Sequence, residues 1–161
     1  MSRIGFSYSH ALGHITGHFT RAGLAVLQLP GPGDAAELNE APADPRVRVL
    51  CAALDAYFAG EPETFAGIPL DLSAGTPFRQ AVWRAAMEIP HGNTSTYGAL
   101  AARIGKPGAA RAVGQALGAN PVPILVPCHR FLAADGGLGG FSCGLAWKRA
   151  LLAAEGVAYP C

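Results

Sequence analysis

The chain predicts a mixed α/β (α+β) protein. A small N-terminal α/β unit built on an antiparallel hairpin or sheet precedes a mainly helical C-terminal unit carrying a helix-turn-helix. Three observations carry that expectation. One early segment alternates polar and apolar residues at the period of a strand, Asp-Pro and Thr-Pro pairs open stretches of helical apolar spacing, and two short helical patterns flank Gly105-Lys106-Pro107-Gly108 in the basic half of the chain.

Residues 13–29 give the strand signal. His14, Thr16, His18 and Thr20 alternate with Ile15, Gly17 and Phe19; Arg21-Ala22-Gly23 reads as a turn; Leu24 to Leu29 reads as the returning strand. Gly31 to Ala43, rich in Pro, Gly and acids, reads as loop. Asp44-Pro45 then opens a helix, since Asp caps free amides and Pro suits the first position, where its missing N–H costs nothing. Val47, Leu50, Cys51, Leu54 and Phe58 form its apolar face and Gly60 ends it. The N-terminal unit is expected to span residues 1–72.

The C-terminal unit is expected over 75–161. Thr76-Pro77 repeats the start signal, with Val82, Trp83, Ala86 and Met87 turned inward and Pro90 and Gly92 as stops. Thr94-Ser95-Thr96 precedes a helix from Tyr97 to Ile104, and Ala109 to Leu117 forms the next. Two short helices about a Gly-containing turn suggest a helix-turn-helix, a pattern that unrelated helical hairpins share. A last helix runs from Leu145 to Glu155 and closes at Gly156.

Composition narrows the classes. Apolar residues make up 50% of the chain and charged residues 14%, which argues against long disordered tracts. No run of about 18 apolar residues lacks a charge or breaker, so neither a membrane span nor a membrane partner is expected. The N-terminus lacks the apolar core of a signal peptide, and Cys51, Cys128, Cys143 and Cys161 are widely spaced with no CxxC pair. They read as free thiols in a reducing cytoplasm. The net charge of +1 hides a split: residues 1–75 carry four Lys/Arg against eight Asp/Glu, residues 76–161 eight against three. That asymmetry points to a polyanion partner for the second half; ordinary fluctuation on a small domain gives the same picture without one.

Two features carry chemistry. Pro127-Cys128-His129-Arg130 ends the apolar run Pro123-Ile124-Leu125-Val126, so a buried, strand-like segment is expected to deliver a cysteine beside a histidine. Apolar burial raises a thiol's pKa, whereas a neighbouring imidazole and guanidinium lower it and favour the reactive thiolate. The second feature is the helix after Gly108. Its surface is Ala109, Ala110, Ala112 and Gly114, with the single long cation Arg111, whereas a major-groove reader displays several long polar side chains. Small residues let a backbone approach DNA closely, as entry into a minor groove requires, and since that groove is only about 6 Å wide the DNA would also have to open; equally, they let the helix pack against the rest of the protein.

These motifs stand in one order. GTPFRQAVWRA (75–85), IPHGNTSTYGALA (89–101), AARAVGQALGANP (109–121), PILVPCHR (123–130) and LLAAEG (151–156) resemble the O6-alkylguanine-DNA alkyltransferases, the methylated-DNA–protein-cysteine methyltransferases. The similarity covers Gly75 to Gly156; the first half matches loosely, through its hairpin, acidic loop and helix. The resemblance implies a ribonuclease-H-like N-terminal domain and a winged-helix-like C-terminal one. It implies repair of double-stranded DNA containing O6-alkylguanine, with O4-alkylthymine as a further substrate, by a cytoplasmic monomer that uses no cofactor and no metal. The damaged base is flipped out of the stack and its alkyl group passes to a cysteine in a single turnover.

By that resemblance Cys128 is the nucleophile and alkyl acceptor, His129 its base through a water, and Glu155 the group orienting His129. Tyr97 donates a proton as guanine leaves, and Asn120 braces the cysteine loop. Arg111 fills the gap in the base stack, with Ala109, Ala110, Ala112, Gly114, Thr96 and Arg130 completing the DNA contacts. Pro123, Phe131, Phe141, Ser142, Cys143 and Lys148 form the pocket. Phe141 stands where the family often has Tyr, and Cys143 where it has Gly. Cys143 also reads as a small buried apolar residue, Cys51 as core, and Cys161 as incidental.

His10, His14 and His18 would line up as ligands on a helix, but Gly13 and Gly17 favour a strand with His14 and His18 facing out, and no zinc is expected. His91 reads as a solvated turn residue. Three rival functions remain: an alkyltransferase-like lesion-binding protein with little or no transfer, a cysteine hydrolase, and a plain helix-turn-helix regulator. The lesion binders usually carry Trp at the position of Cys128. A hydrolase needs neither the basic half nor the small-residue helix, and a regulator leaves Cys128 and Tyr97 without a task.

Overall fold

The computed structural model describes residues 3–31, 43–62 and 64–158. Three strands, β1 (Ile4–His10), β2 (Gly13–Phe19) and β3 (Leu24–Gln28), form an antiparallel sheet in that order. The β2–β3 hairpin matches the expected one. Strand β1 is additional, although Ile4, Phe6 and Tyr8 alternate with Gly5, Ser7 and Ser9 at the strand period. Gly17 is required where it stands, because a Cβ there would lie 2.2 Å from the Val26 carbonyl oxygen across the hairpin. The free side of β3 is occupied by later chain: Leu24 N–H donates to Pro69 O at 2.9 Å and Leu27 N–H to Pro121 O at 2.8 Å.

Helix α1 (Pro45–Phe58) starts as expected, with Asp44 Oδ1 accepting the Arg46 N–H at 2.8 Å. It buries Val47, Leu50, Ala53, Leu54 and Tyr57, while Cys51 and Phe58 are only partly covered. Most of the expected acidic loop (32–42) and Cys161 lie outside the described residues.

The second half contains α2 (Pro77–Ala86), β4 (Ser95–Thr96), α3 (Tyr97–Arg103), α4 (Ala110–Gly118), β5 (Phe131–Leu132) and α5 (Leu145–Ala154). The Thr76 and Thr96 hydroxyls cap α2 and α3, accepting from Arg79 N–H and Ala99 N–H. Met87 is not an inward residue: α2 ends at Ala86, Met87 becomes its C-cap, and the side chain is 45% exposed. Strands β4 and β5 form a short parallel pair that the sequence did not announce.

Two apolar clusters hold the molecule together. One joins the sheet and α1 (Phe6, Ile15, Phe19, Leu24, Leu50, Leu54) to Val122, Ile124, Leu125, Trp147 and Leu151. The other joins α2, α3 and α4 through Val82, Trp83, Leu100, Val113 and Leu117 to Val126, Phe131 and Cys128. The short segment 122–128 therefore passes from one core to the other, and Cys128 sits at that seam. Among the described residues no helix is long and apolar enough to cross a membrane.

Candidate active site and nucleic-acid interface

The segment carrying Cys128 is buried but is not a strand. Pro121, Pro123 and Pro127 have no amide to give a ladder, so the chain folds on itself instead. Val126 N–H donates to Val122 O at 2.9 Å, Ile124 takes a left-handed φ of 75°, and a single 3₁₀ turn follows at Cys128–Arg130. A β-branched residue at positive φ is strained by about 1–3 kcal/mol and persists because its side chain is locked in the core. Asn120 braces the turn as its chemistry suggests. Its Oδ1 accepts Val122 N–H at 2.9 Å, and its Nδ2 donates to Val126 O at 2.8 Å and lies 3.2 Å from Cys128 Sγ.

The thiol is stored protonated, contrary to the expectation of a standing thiolate. Burial pushes the Cys128 thiol up to about 12, only partly opposed by the Asn120 hydrogen bond and the Lys148 charge. Neither His129 nor Arg130 offsets this, because both are committed elsewhere.

His129 is fully buried, and its Nε2 lies 3.1 Å from Glu155 Oε1 and 3.3 Å from the Tyr57 hydroxyl. Its Nδ1 is buried and makes no hydrogen bond. Burial lowers the imidazole's proton affinity, outweighing the nearby Glu155 carboxylate, so His129 is neutral near pH 7. Burial also pushes the Glu155 carboxyl up, but hydrogen bonds from His129 and Arg130 together outweigh it and hold it at about 2. An ionised Glu155 only accepts, so Nε2 carries the proton and Nδ1 the free lone pair.

Three expected site residues, Arg130, Lys148 and Phe131, are buried away from the cavity. Arg130 does not face DNA: its guanidinium is buried, donating to Glu155 Oε1 at 2.9 and 2.5 Å and to Ile89 O at 2.6 Å. A buried guanidinium needs such a partner, and Glu155 at the end of α5 is the one within reach. Lys148 lies behind the pocket loop rather than in the cavity. Its buried Nζ donates to Phe131 O at 2.6 Å and also binds the Leu138 carbonyl, while burial lowers its pKa to about 8. Phe131 is likewise core, with no exposed surface.

Cys128 borders a cavity of about 350 Å³ lined by Tyr97, Gly114, Leu117, Gly118, Gly140, Phe141 and Ser142. Pro123 and Cys143 instead line the adjoining cleft over the sheet, which shares Ser142 with the cavity. The Tyr97 hydroxyl donates to Gly140 O at 3.3 Å, and Gly139, at φ 66°, lets the loop pass close by: a Cβ there would come within 3.2 Å of Tyr97 Oη. Burial raises the Tyr97 pKa, so it keeps its proton.

Helix α4 forms one side of this cavity through Gly114, Leu117 and Gly118. Arg111 and Ala112 are exposed, Ala109, Ala110 and Gly114 half-buried, and Val113, Ala116 and Leu117 buried. Of the expected small-residue surface, Ala112 therefore stays open, while Ala109 packs partly against the core. Thr96 is the cap of α3. His10 lies in β1 between the Phe58 and Trp147 rings, while His14 and His18 lie in β2. Among the described residues no three potential ligands gather for a metal. His91 is half-buried with its ring edge toward Tyr57, and its Nε2 lacks a partner; it is not a solvated turn residue.

Leu117, Gly118 and Tyr57 were missed as site residues. Tyr57 lies three residues after Leu54 and so falls on the buried face of α1, a spacing that could have marked it.

A family model described as the DNA binding domain of 6-O-methylguanine DNA methyltransferase matches residues 77–157, half of the chain. The chain belongs to this family. Within it, the methylated-DNA–protein-cysteine methyltransferase of Haemophilus influenzae is 50% identical over 121 residues, covering 75% of this chain and 65% of the relative. The protein of that name from Mycobacterium bovis is 55% identical over 102 residues, covering 63% and 61%. The matched regions thus span somewhat less than two thirds of these curated relatives. Among solved structures, Mycobacterium tuberculosis OGT in complex with DNA superposes with a TM-score of 0.80 at 40% identity, covering 94% of this chain and 91% of that one. An O6-methylguanine DNA methyltransferase from Methanococcus jannaschii superposes with a TM-score of 0.69 at 29% identity, covering 97% and 96%.

Proposed function

We propose that this chain repairs DNA by moving the alkyl group of O6-alkylguanine to Cys128 in a single turnover. One observation carries the reading: a buried, protonated thiol borders a cavity, open to solvent, one side of which is formed by helix α4. Residues 75–161 form the DNA-binding unit and residues 1–72 brace it. Arg111, the long cation of the exposed α4 face, enters the stack as the damaged base passes α4 into the cavity, a displacement that costs least for a weakened pair.

In the cavity Cys128 gives its proton, through a water, to the bare Nδ1 of His129, while Glu155 fixes Nε2. The sulfur attacks the alkyl carbon, the S–C bond forms as the C–O6 bond breaks, and the electron pair leaves with guanine. Tyr97 donates the proton that neutralises the departing base, acting where charge appears. Water does not cleave the resulting thioether, so each chain acts once. The reducing cytoplasm suits a free thiol held in this way.

The test is to incubate the protein with a duplex bearing one O6-methylguanine and to map the adduct by mass. One methyl on Cys128, at no more than one per chain and absent from Cys128→Ala, is expected. Tight lesion binding with no mass gain would replace this reading with that of a lesion-binding protein.

A further inference from the structure

The buried relay has one member that the alkyl-transfer reading does not use. Tyr57 comes from α1, outside the segment that matches the family's DNA-binding model, and from the first core places its hydroxyl 3.3 Å from His129 Nε2. It is 1% exposed, so bulk solvent does not reach it.

The load on Glu155 explains why a second group is needed at Nε2. Glu155 Oε1 already accepts two N–H groups of Arg130, at 2.9 and 2.5 Å, while the imidazole lies at 3.1 Å. A carboxylate oxygen has two lone pairs, so the Arg130 bonds saturate it and the imidazole bond is the weak one. The Arg130 charge also cancels much of the field that Glu155 would offer a protonated imidazole. The Tyr57 hydroxyl donates toward Leu151 O at 3.4 Å and also faces the Glu155 carboxylate, and in either arrangement an oxygen lone pair is left for the Nε2–H. The titratable and charged groups facing the imidazole are Tyr57 from α1, Glu155 and Lys148 from the last helix and its cap, and Arg130 from the same turn, with His91 beyond the tyrosine ring.

We propose that Tyr57 is a positioning residue for transfer: it holds His129 in the tautomer whose Nδ1 is free, and it steadies the imidazolium once the thiol proton arrives. This rests on the alkyl-transfer reading. It gives the N-terminal half a share in the chemistry beyond bracing.

Tyr57→Phe keeps the ring and removes only the oxygen. With saturating O6-methylguanine duplex, transfer to Cys128 should slow about fivefold, the equivalent of roughly 1 kcal/mol and the usual worth of a neutral hydrogen bond. Duplex affinity should not change. The acid limb of the rate–pH profile should move to lower pH, because the imidazolium has lost an acceptor, and the ¹⁵N shifts of His129 should show mixed tautomers. Phe65→Leu, which disturbs packing on the Tyr57 ring 5.4 Å away, serves as the packing control and should leave the profile in place. An unchanged rate and profile in Tyr57→Phe, beside an active wild type, would overturn the role. A wild type that transfers nothing would instead remove the alkyl-transfer reading itself. If Tyr57→Phe fails to fold, the tautomer of His129 in the wild type decides: a proton on Nδ1 contradicts the proposal.

Discussion

Glu155→Gln removes a charge from a side chain that no water reaches. The carboxyl ionises at about 2 in the folded chain against an ordinary 4.5, a difference worth roughly 3 kcal/mol of stability at neutral pH. Because the folded value is the lower one, this stabilisation is complete above about pH 4.5 and fades as the pH falls toward 2. An independent route gives the same size: breaking a buried ion pair by removing one partner costs about 3–5 kcal/mol, since Arg130 would stay buried without a counter-charge. Urea unfolding at pH 7 should therefore place Glu155→Gln about 3 kcal/mol below the wild type. The gap should shrink to roughly half by pH 3, where the wild-type carboxylate has lost much of its advantage. A gap under about 1 kcal/mol at pH 7, or one that does not change with pH, would mean that the Glu155 charge does not stabilise the fold.

Three further outcomes follow from the geometry. Arg111→Ala should slow repair in duplex DNA far more than reaction with free O6-benzylguanine, because the free base needs no flipping; equal losses on both substrates, measured as single-turnover rates, contradict the stacking role. Asn120→Ala strands Val122 N–H, takes one of two donors from Val126 O, which keeps Cys128 N–H, and frees Cys128 Sγ, so chemical unfolding should show a loss of about 1–3 kcal/mol, along with slower transfer. Since burial holds Cys128 up to about 12, iodoacetamide below pH 9 should label it no faster than the less buried Cys143, as read by peptide mass.

The helix starts were legible because their caps are local: Asp44-Pro45 and Thr76-Pro77 each satisfy amides within three residues of themselves. The β2–β3 hairpin was legible through its two-residue period and its turn. Burial of Cys128, His129 and Glu155 was another matter, since it depends on partners far along the chain. Adjacency in sequence suggested that His129 and Arg130 would activate the thiol directly. In the fold, Glu155, 25 residues from Arg130, takes up both groups. The apolar run before Cys128 announced burial correctly, but its prolines forbid the strand that burial suggested. Tyr57 shows the same limit, because only the packed structure brings it 72 positions along the chain to His129.

In the proposed mechanism Cys128 is stored as a thiol and activated only through the His129–Glu155 relay. The most direct measurement is the rate of alkyl transfer at saturating duplex, followed from pH 5 to pH 10. The rate should fall only on the acid side, below His129's ordinary 6.5, and stay level above it. A rate that climbs about tenfold per pH unit through pH 9 would mean that free thiolate is the reactant, and would contradict that mechanism.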